Sequence, residues 1–261
     1  MVKKVPRSFD VFGNIAIVKF PDSISLVDKK EFADKILKDN KAIRTVLEKS
    51  GKFKGRLRKM QTRHIAGERT KEILYKENKC VFRFNIDTTY FSSRLSNERK
   101  EIAAEIKKDE NVLVMFAGVA PFSIIIAKNS RAKKVFSNEI NRIANKYAKL
   151  NIELNNLKDK IELISGDIKT ASGKLSKKFD VIVMPRPQLK ETFLKQAFSL
   201  SKKGTRIYYY DFCKIDETDF IVEKIKREAK KFNKKIKILN TKSAGEIAPY
   251  KIRVRVDFQI L

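Results

Sequence analysis

The chain has no tryptophan, a single histidine, two cysteines and six prolines in 261 residues. One histidine, His64, excludes histidine-rich metal sites and argues against a histidine-based catalytic triad. Cys80 and Cys213 are far apart and form no motif, which excludes a disulfide scaffold or a zinc cluster and fits a reducing compartment. No apolar run approaches the roughly 18 residues of a membrane span, and the start has no apolar signal region. The expectation is a soluble, cytoplasmic protein. Acidic residues are also scarce: 31 Asp and Glu face 59 Lys and Arg, for a net charge of +28.

What is present is a folded chain. A hydrophobic fraction of 42% with 18 Phe is too high for disorder. The length allows one large domain or two small ones, with a sizeable core. The charge therefore sits on a folded surface, and its expected partner is a polyanion. Residues 1–99 carry net +12 and residues 100–261 net +16, so the charge is not a detachable tail. A generally basic surface without a specific partner is the competing reading.

The first third reads as α+β. Residues 10–20 have strand composition, with Gly13-Asn14 as a turn or bulge. Ser25 or Asp28 caps a helix running to about Leu37. Residues 55–65 alternate as a strand does, and 72–76 with 80–86 form a hairpin around Glu77-Asn78-Lys79. Near residue 92 the pattern changes to alternating strands and helices. Helices are expected at 95–107, 121–128, 140–151, 189–200 and 217–231. Strands are expected at 111–116, 133–137, 161–165, 181–184, 205–210, 236–240 and 252–260. Such alternation predicts a doubly wound, mostly parallel sheet with a final antiparallel strand. The expected division is a small α+β domain over 1–92 and an α/β domain over 93–261.

In such a sheet ligands bind beyond the carboxyl ends of the strands. Four of these ends stand out. Phe116-Ala117-Gly118-Val119-Ala120 follows the first strand, with small residues that let backbone approach a ligand. It lacks a dinucleotide fingerprint or a P-loop lysine, and read alone it is equally a plain strand-to-helix turn. Glu139, ahead of Ile140, suits ribose hydroxyls; otherwise it is a carboxylate at a helix N-terminus. Asp167, ahead of Ile168, suits an adenine amino group; otherwise it is a turn aspartate. Met184-Pro185-Arg186-Pro187 makes a stiff wall. Together the four ends point to an adenosyl-type cofactor.

Residues Arg58-Lys-Met-Gln-Thr-Arg-His-Ile-Ala-Gly-Glu68, Tyr90-Phe-Ser-Ser-Arg-Leu-Ser-Asn-Glu-Arg99, Phe116-Ala-Gly-Val-Ala-Pro-Phe-Ser123 and Asn151-Ile-Glu-Leu-Asn155 resemble the archaeal and eukaryotic tRNA (guanine-N1)-methyltransferases. The resemblance covers nearly the whole chain. It implies a class I (Rossmann-like) methyltransferase domain using S-adenosylmethionine, preceded by a small domain that helps to hold tRNA. The implied reaction is methylation of guanosine N1 at tRNA position 37. Members often carry a further elbow-binding domain; this chain starts at the second domain, so elbow recognition is expected to be absent or supplied otherwise. The implied partner is the anticodon stem-loop, bound by a monomer.

The resemblance also implies roles. Arg58 contacts guanine O6, Glu98 is the proposed base for N1, and Arg99 contacts the cofactor. Phe116, Ala117, Gly118, Glu139, Ile140, Asp167 and Ile168 line the cofactor site, while Tyr90 and Phe91 line the cofactor or base pocket. Read without the resemblance, Arg58 is a phosphate-binding arginine beside Lys54 and Arg56. Glu98 is then a capping-box glutamate, Arg99 a surface ion pair, and Tyr90 and Phe91 are core. Lysines such as those in 226–237 need only attract and position phosphate.

Three departures accompany it. Val114 stands where the family has an acid, and Ala120 where it has a second glycine. Pro185 and Pro187 replace an Asn-Leu-Pro motif, and the acid at 139 is Glu rather than Asp. The last combination resembles the archaeal wyosine branch, some members of which also methylate C7 of 4-demethylwyosine (imG-14). Pro185 in place of Asn leaves room for a wider tricyclic base. The alternatives are the related aminocarboxypropyl transferase of wyosine synthesis, which uses the same cofactor, and a non-catalytic tRNA-binding protein.

Overall fold

The computed structural model describes residues 6, 8–51, 60–185, 189 and 191–261. It divides into two compact units, Met1–Ser93 and Arg94–Leu261.

In the first unit, β1 (Asp10–Phe12) and β2 (Ile15–Val18) form a hairpin, and α1 (Leu26–Asp39) crosses over to β3 (Thr45–Lys49), which pairs with β2 in parallel. β4 (Thr62–Gly67) closes the sheet in the order β1-β2-β3-β4. The turn at Gly13 is required: its φ is +55°, and a Cβ would lie 1.9 Å from the Leu74 carbonyl oxygen. Asn14 then extends the contact, its side chain accepting from Leu74 N at 2.9 Å. Ser25 caps α1 by accepting from the Asp28 amide. Ala16, Val18, Ala33, Ile36 and Val46 pack between helix and sheet. The hairpin β5 (Glu72–Glu77) and β6 (Cys80–Asn85) turns through Asn78 and Lys79, both at positive φ, as a two-residue turn demands. The alternating stretch 55–65 yields a strand only from Thr62, since 52–59 lie outside the described residues.

Glu48 is buried in this unit and paired with Lys29 and Arg63, each at 2.6 Å. Burial opposes its charge, but the hydrogen bonds from Lys29 and Arg63 outweigh that and hold its pKa below the usual 4.5. Its contribution to stability is therefore present above pH 4.5 and lost as pH falls through the lowered value. Glu48→Gln is expected to flatten the acid limb of this unit's unfolding, followed by circular dichroism from pH 6 to pH 2.

The second unit opens with α2 (Ser96–Glu105), then β7 (Asn111–Val114), α3 (Pro121–Asn129), β8 (Lys134–Glu139), α4 (Arg142–Leu154), β9 (Ile161–Ser165), α5 (Ile168–Lys174) and β10 (Phe179–Met184). It continues with α6 (Leu194–Ser199), β11 (Ser201–Lys214), α7 (Thr218–Lys231), β12 (Ile236–Ala248) and β13 (Lys251–Ile260). The sheet order is β12-β13-β11-β10-β7-β8-β9, parallel except for β13. This is the doubly wound sheet with one antiparallel strand that the alternation predicts. The order reverses between β7 and β10, which makes their carboxyl ends the switch point.

Four local expectations differ. The helix expected over 189–200 begins only at Leu194, because Phe193 sits at φ +59° and interrupts it. α5 and β3 have no counterpart in the sequence reading; both are short, and α5 carries Gly173. The strand expected over 236–240 runs on to Ala248, because pairing with β13 overrides the polar composition of Asn240–Glu246.

Candidate active site

The carboxyl ends of β7, β8, β9 and β10 meet at the switch point. After β7 the chain passes through three residues at positive φ: Phe116 (+58°), Gly118 (+59°) and Ala120 (+67°). Such a conformation suits glycine and strains Phe and Ala, so the loop is held from outside. Met115 N donates to Val183 O at 2.9 Å, Ala117 N to Asn138 O at 2.8 Å, and Asn151 Nδ2 to Val119 O at 3.2 Å. Ala120 is thus a strained residue, at the position where the resemblance leads one to expect glycine. Val114, the other departure, is fully buried core.

Glu139 closes the loop. Its Oε2 accepts from Gly118 N at 2.8 Å and its Oε1 from Asn141 N at 2.7 Å. Asn141 in turn caps α4. The helix-terminus reading of Glu139 therefore holds, and the same carboxylate stands against the backbone of the glycine loop. Asp167 caps α5 through Lys169 N at 3.0 Å, and Ile168 begins that helix with its side chain buried. Asn138 ties the two ends together, donating to the Ile164 and Gly166 carbonyls at 2.9 and 3.1 Å. A cavity of about 320 Å³ opens there, lined by Ile164, Ser165, Gly166, Asp167, Thr170 and Ala171 among others. A Cβ placed on Gly166 would meet nothing within 4 Å, so its backbone faces open space. Phe116 packs edge-on against Phe193 at 5.0 Å, making an aromatic wall that includes one residue the sequence reading missed. Pro185 follows β10 at this end; Arg58 and Pro187 lie outside the described residues.

This set fits an adenosyl group: a carboxylate for hydroxyls at Glu139, another for an amino group at Asp167, exposed backbone at Gly166 and an aromatic wall. Residues 115–120 carry no charge, so no lysine or arginine of that loop repels a sulfonium.

Arg99 and Glu98 project from α2 into the same unit. Arg99 is 1% exposed, which overturns the surface ion-pair reading, and its guanidinium lies 5.6 Å from the Phe122 ring. Phe122, in the first turn of α3, also meets Tyr210 at 6.0 Å. Glu98 is 6% exposed and makes no cap; the capping-box reading fails because the carboxylate turns to the sheet instead. Its Oε2 accepts from Tyr210 Oη at 2.8 Å and Arg255 Nη1 at 2.9 Å, and its Oε1 pairs with Lys242 at 3.0 Å.

The register explains this cluster. Lys242, Arg255 and Tyr210 are directly opposite one another across β12, β13 and β11. Glu98, Glu101 and Glu105, spaced three and four apart, share one face of α2. Arg255 meets all three, at 2.9, 3.1 and 3.7 Å, and Asp257 at 2.8 Å. Burial works against the Arg255 charge, yet Asp257, Tyr210 and Glu98 keep its pKa above the ordinary value. Burial, then the Glu98 charge, pushes the Tyr210 phenol well up. The glutamate spacing and the alternating Arg253, Arg255 and Asp257 are the signals by which sequence reading could have found the network.

Phe91 lies in the first unit, 6% exposed and stacked on Phe84 at 4.7 Å, with Tyr75 at 5.0 Å. Its core reading accounts for it. Tyr90 beside it is partly buried.

Comparison with known proteins places these features in context. Residues 73–239 match the TRM5/TYW2 methyltransferase domain, and residues 1–70 match the TYW2 N-terminal domain. The tRNA (guanine(37)-N(1))-methyltransferase Trm5b of Pyrococcus abyssi is 34% identical over 98% of this chain and 76% of its own length. The tRNA (guanine(37)-N(1))/4-demethylwyosine(37)-methyltransferase Taw22 of Nanoarchaeum equitans is 31% identical over 97% of this chain and 100% of its own. Among solved structures, the Pyrococcus abyssi Trm5b crystal structure superposes with a TM-score of 0.85 at 34% identity, covering 98% of this chain and 75% of that one. A complex of aTrm5 and tRNALeu superposes with a TM-score of 0.83 at 27% identity, covering 98% and 72%.

Proposed function

Because the chain belongs to the TRM5/TYW2 methyltransferase family, we propose that it transfers a methyl group from S-adenosylmethionine to N1 of guanosine at tRNA position 37, and that it also accepts the tricyclic 4-demethylwyosine base. The observation that carries this reading is the closed loop at the switch point, where Glu139 holds Gly118 beside the open backbone of Gly166. In this reading the chain works as a cytoplasmic monomer on the anticodon stem-loop.

S-adenosylmethionine, when bound, supplies an electrophilic methyl group on a sulfonium. Glu139 and Asp167 would hold its ribose and adenine, and Arg99, beside Phe122, would contact it, as the resemblance implies. Guanine N1 is a poor nucleophile while protonated, so the chain must take that proton and steady the charge that moves to O6. Arg58 has the second task by resemblance, and Glu98 has the first. Two buried donors hold Oε2 of Glu98, while among the described residues Oε1 meets only the more exposed Lys242. Oε1 is therefore the oxygen that receives the N1 proton, with Lys242 giving way. Pro185 carries no side-chain donor and keeps the base pocket wide.

Mass spectrometry of nucleosides from tRNA treated with the pure protein tests the reading. It separates methylated guanosine, methylated 4-demethylwyosine and an aminocarboxypropyl product; finding none, or only the last, would end it. In calorimetry, Glu139→Ala is expected to raise the dissociation constant for S-adenosylmethionine at least tenfold. An unchanged constant would remove Glu139 from the cofactor site.

A further inference from the structure

The parallel sheet of the second unit has a second edge, at the amino ends of its strands, and the basic charge collects there. β7 to β11 run in parallel, and β12, paired to β11 through the antiparallel β13, runs with them. All six strands therefore start along one rim. Lysines stand at five of these starts: Lys107 and Lys108 before β7, Lys133 before β8, Lys160 before β9, Lys203 as the third residue of β11 and Lys235 before β12. These six are exposed, and among the described residues their side chains have no ion-pair partner. Others along the rim are neutralised locally: Lys134 by Glu162 at 3.6 Å, Lys158 by Glu153 at 3.3 Å and Lys202 by Asp180 at 2.5 Å. The ends that build the candidate active site are mixed in charge. The loop 115–120 is uncharged, Glu139 and Asp167 are acidic, Lys169 is paired with Glu191 at 2.8 Å, and Arg142 and Lys174 are exposed cations.

We propose that this amino-end rim is a second RNA-binding surface, which takes the phosphodiester backbone of the substrate tRNA away from the base being methylated. Seven strands at about 4.8 Å make a rim roughly 30 Å long, enough to follow several phosphates. Flexible lysines on short connections suit a backbone read without sequence. The proposal rests on the reading that the substrate is tRNA.

The test replaces Lys107, Lys108, Lys133, Lys160, Lys203 and Lys235 with glutamine. Binding of fluorescently labelled tRNA to the full chain is followed by anisotropy over a series of salt concentrations. At about 0.1 M salt the dissociation constant is expected to rise at least tenfold. The slope of log affinity against log salt should become shallower by about 3 or more, up to the limit of about 0.9 per lost contact. KM for tRNA should rise with it while kcat at saturation stays unchanged. A control variant carries glutamine at Lys146, Lys149, Lys195 and Lys251, and should change the slope by less than about 1. Unchanged binding in the rim variant overturns the proposal, and so does an equal loss in the control, which would reduce the effect to net charge. A loss confined to phosphatidylserine vesicles, with tRNA binding intact, also overturns it by assigning the rim to a lipid surface. If the unmodified chain yields no modified nucleoside while its tRNA binding still depends on the rim, the catalytic reading fails and this one stands.

Discussion

Arg255→Ala is expected to destabilise the second unit by about 3–5 kcal/mol, the usual consequence of removing one partner from a buried ion pair. The guanidinium side chain is 0% exposed and is shared by Glu98, Glu101, Glu105 and Asp257. Without it, Glu98 and Asp257, whose side chains are 8% and 7% exposed, keep charges that neither water nor a full set of donors can stabilise. Burial already raises the pKa of Asp257 against the pull of Arg255, so loss of the arginine favours the protonated acid further. The midpoint of urea unfolding measures the effect. A shift worth under about 1 kcal/mol would mean that the network contributes little and that apolar packing holds α2 to the sheet. Adding Glu98→Gln and Asp257→Asn to Arg255→Met should recover much of the loss, because the buried charges then leave together.

Glu98→Gln is expected to lower kcat by a factor of about 10² to 10⁴ at saturating tRNA and S-adenosylmethionine, while KM for tRNA changes by no more than a few-fold. Glutamine retains the shape and an oxygen for Tyr210 and Arg255 but accepts no proton. Single-turnover methyl transfer, with an unfolding curve recorded for the same preparation, separates chemistry from folding. A variant that stays folded and keeps its rate would dismiss Glu98 as the base and leave it as the anchor of Arg255. Tyr210→Phe provides the complementary reading. It removes one donor from Oε2 and keeps the carboxylate, so the pH profile of kcat should shift with little loss at its optimum if Tyr210 positions Glu98.

The structure redistributes the sequence's candidates. Glu139 and Asp167 were legible because each stands between a strand and a helix, where Asp167 caps α5 directly and Glu139 holds Asn141, the residue that caps α4. Phe193 was not, since its value lies in a left-handed turn that places it against Phe116, and periodicity cannot report a turn of that kind. Glu98 and Arg99 were legible only through the resemblance. Helical spacing shows that Glu98, Glu101 and Glu105 share a face, but not that the face meets cations instead of water.

The sequence by itself determined the class of the chain. Alternating strands and helices predict a doubly wound sheet, and small residues after one strand, acids after two more and a surplus of lysine point to an adenosyl-type crevice and an anionic partner, because these depend on local periodicity and on composition. Tertiary structure alone decided which charges are spent inside the molecule and which face solvent. Arg255 and Lys242 become partners of Glu98 because register aligns β11, β12 and β13. The lysines at scattered positions from 107 to 235 become one rim because parallel strands all begin on the same side. Both effects join residues far apart in the chain, and only pairing between strands can bring them together.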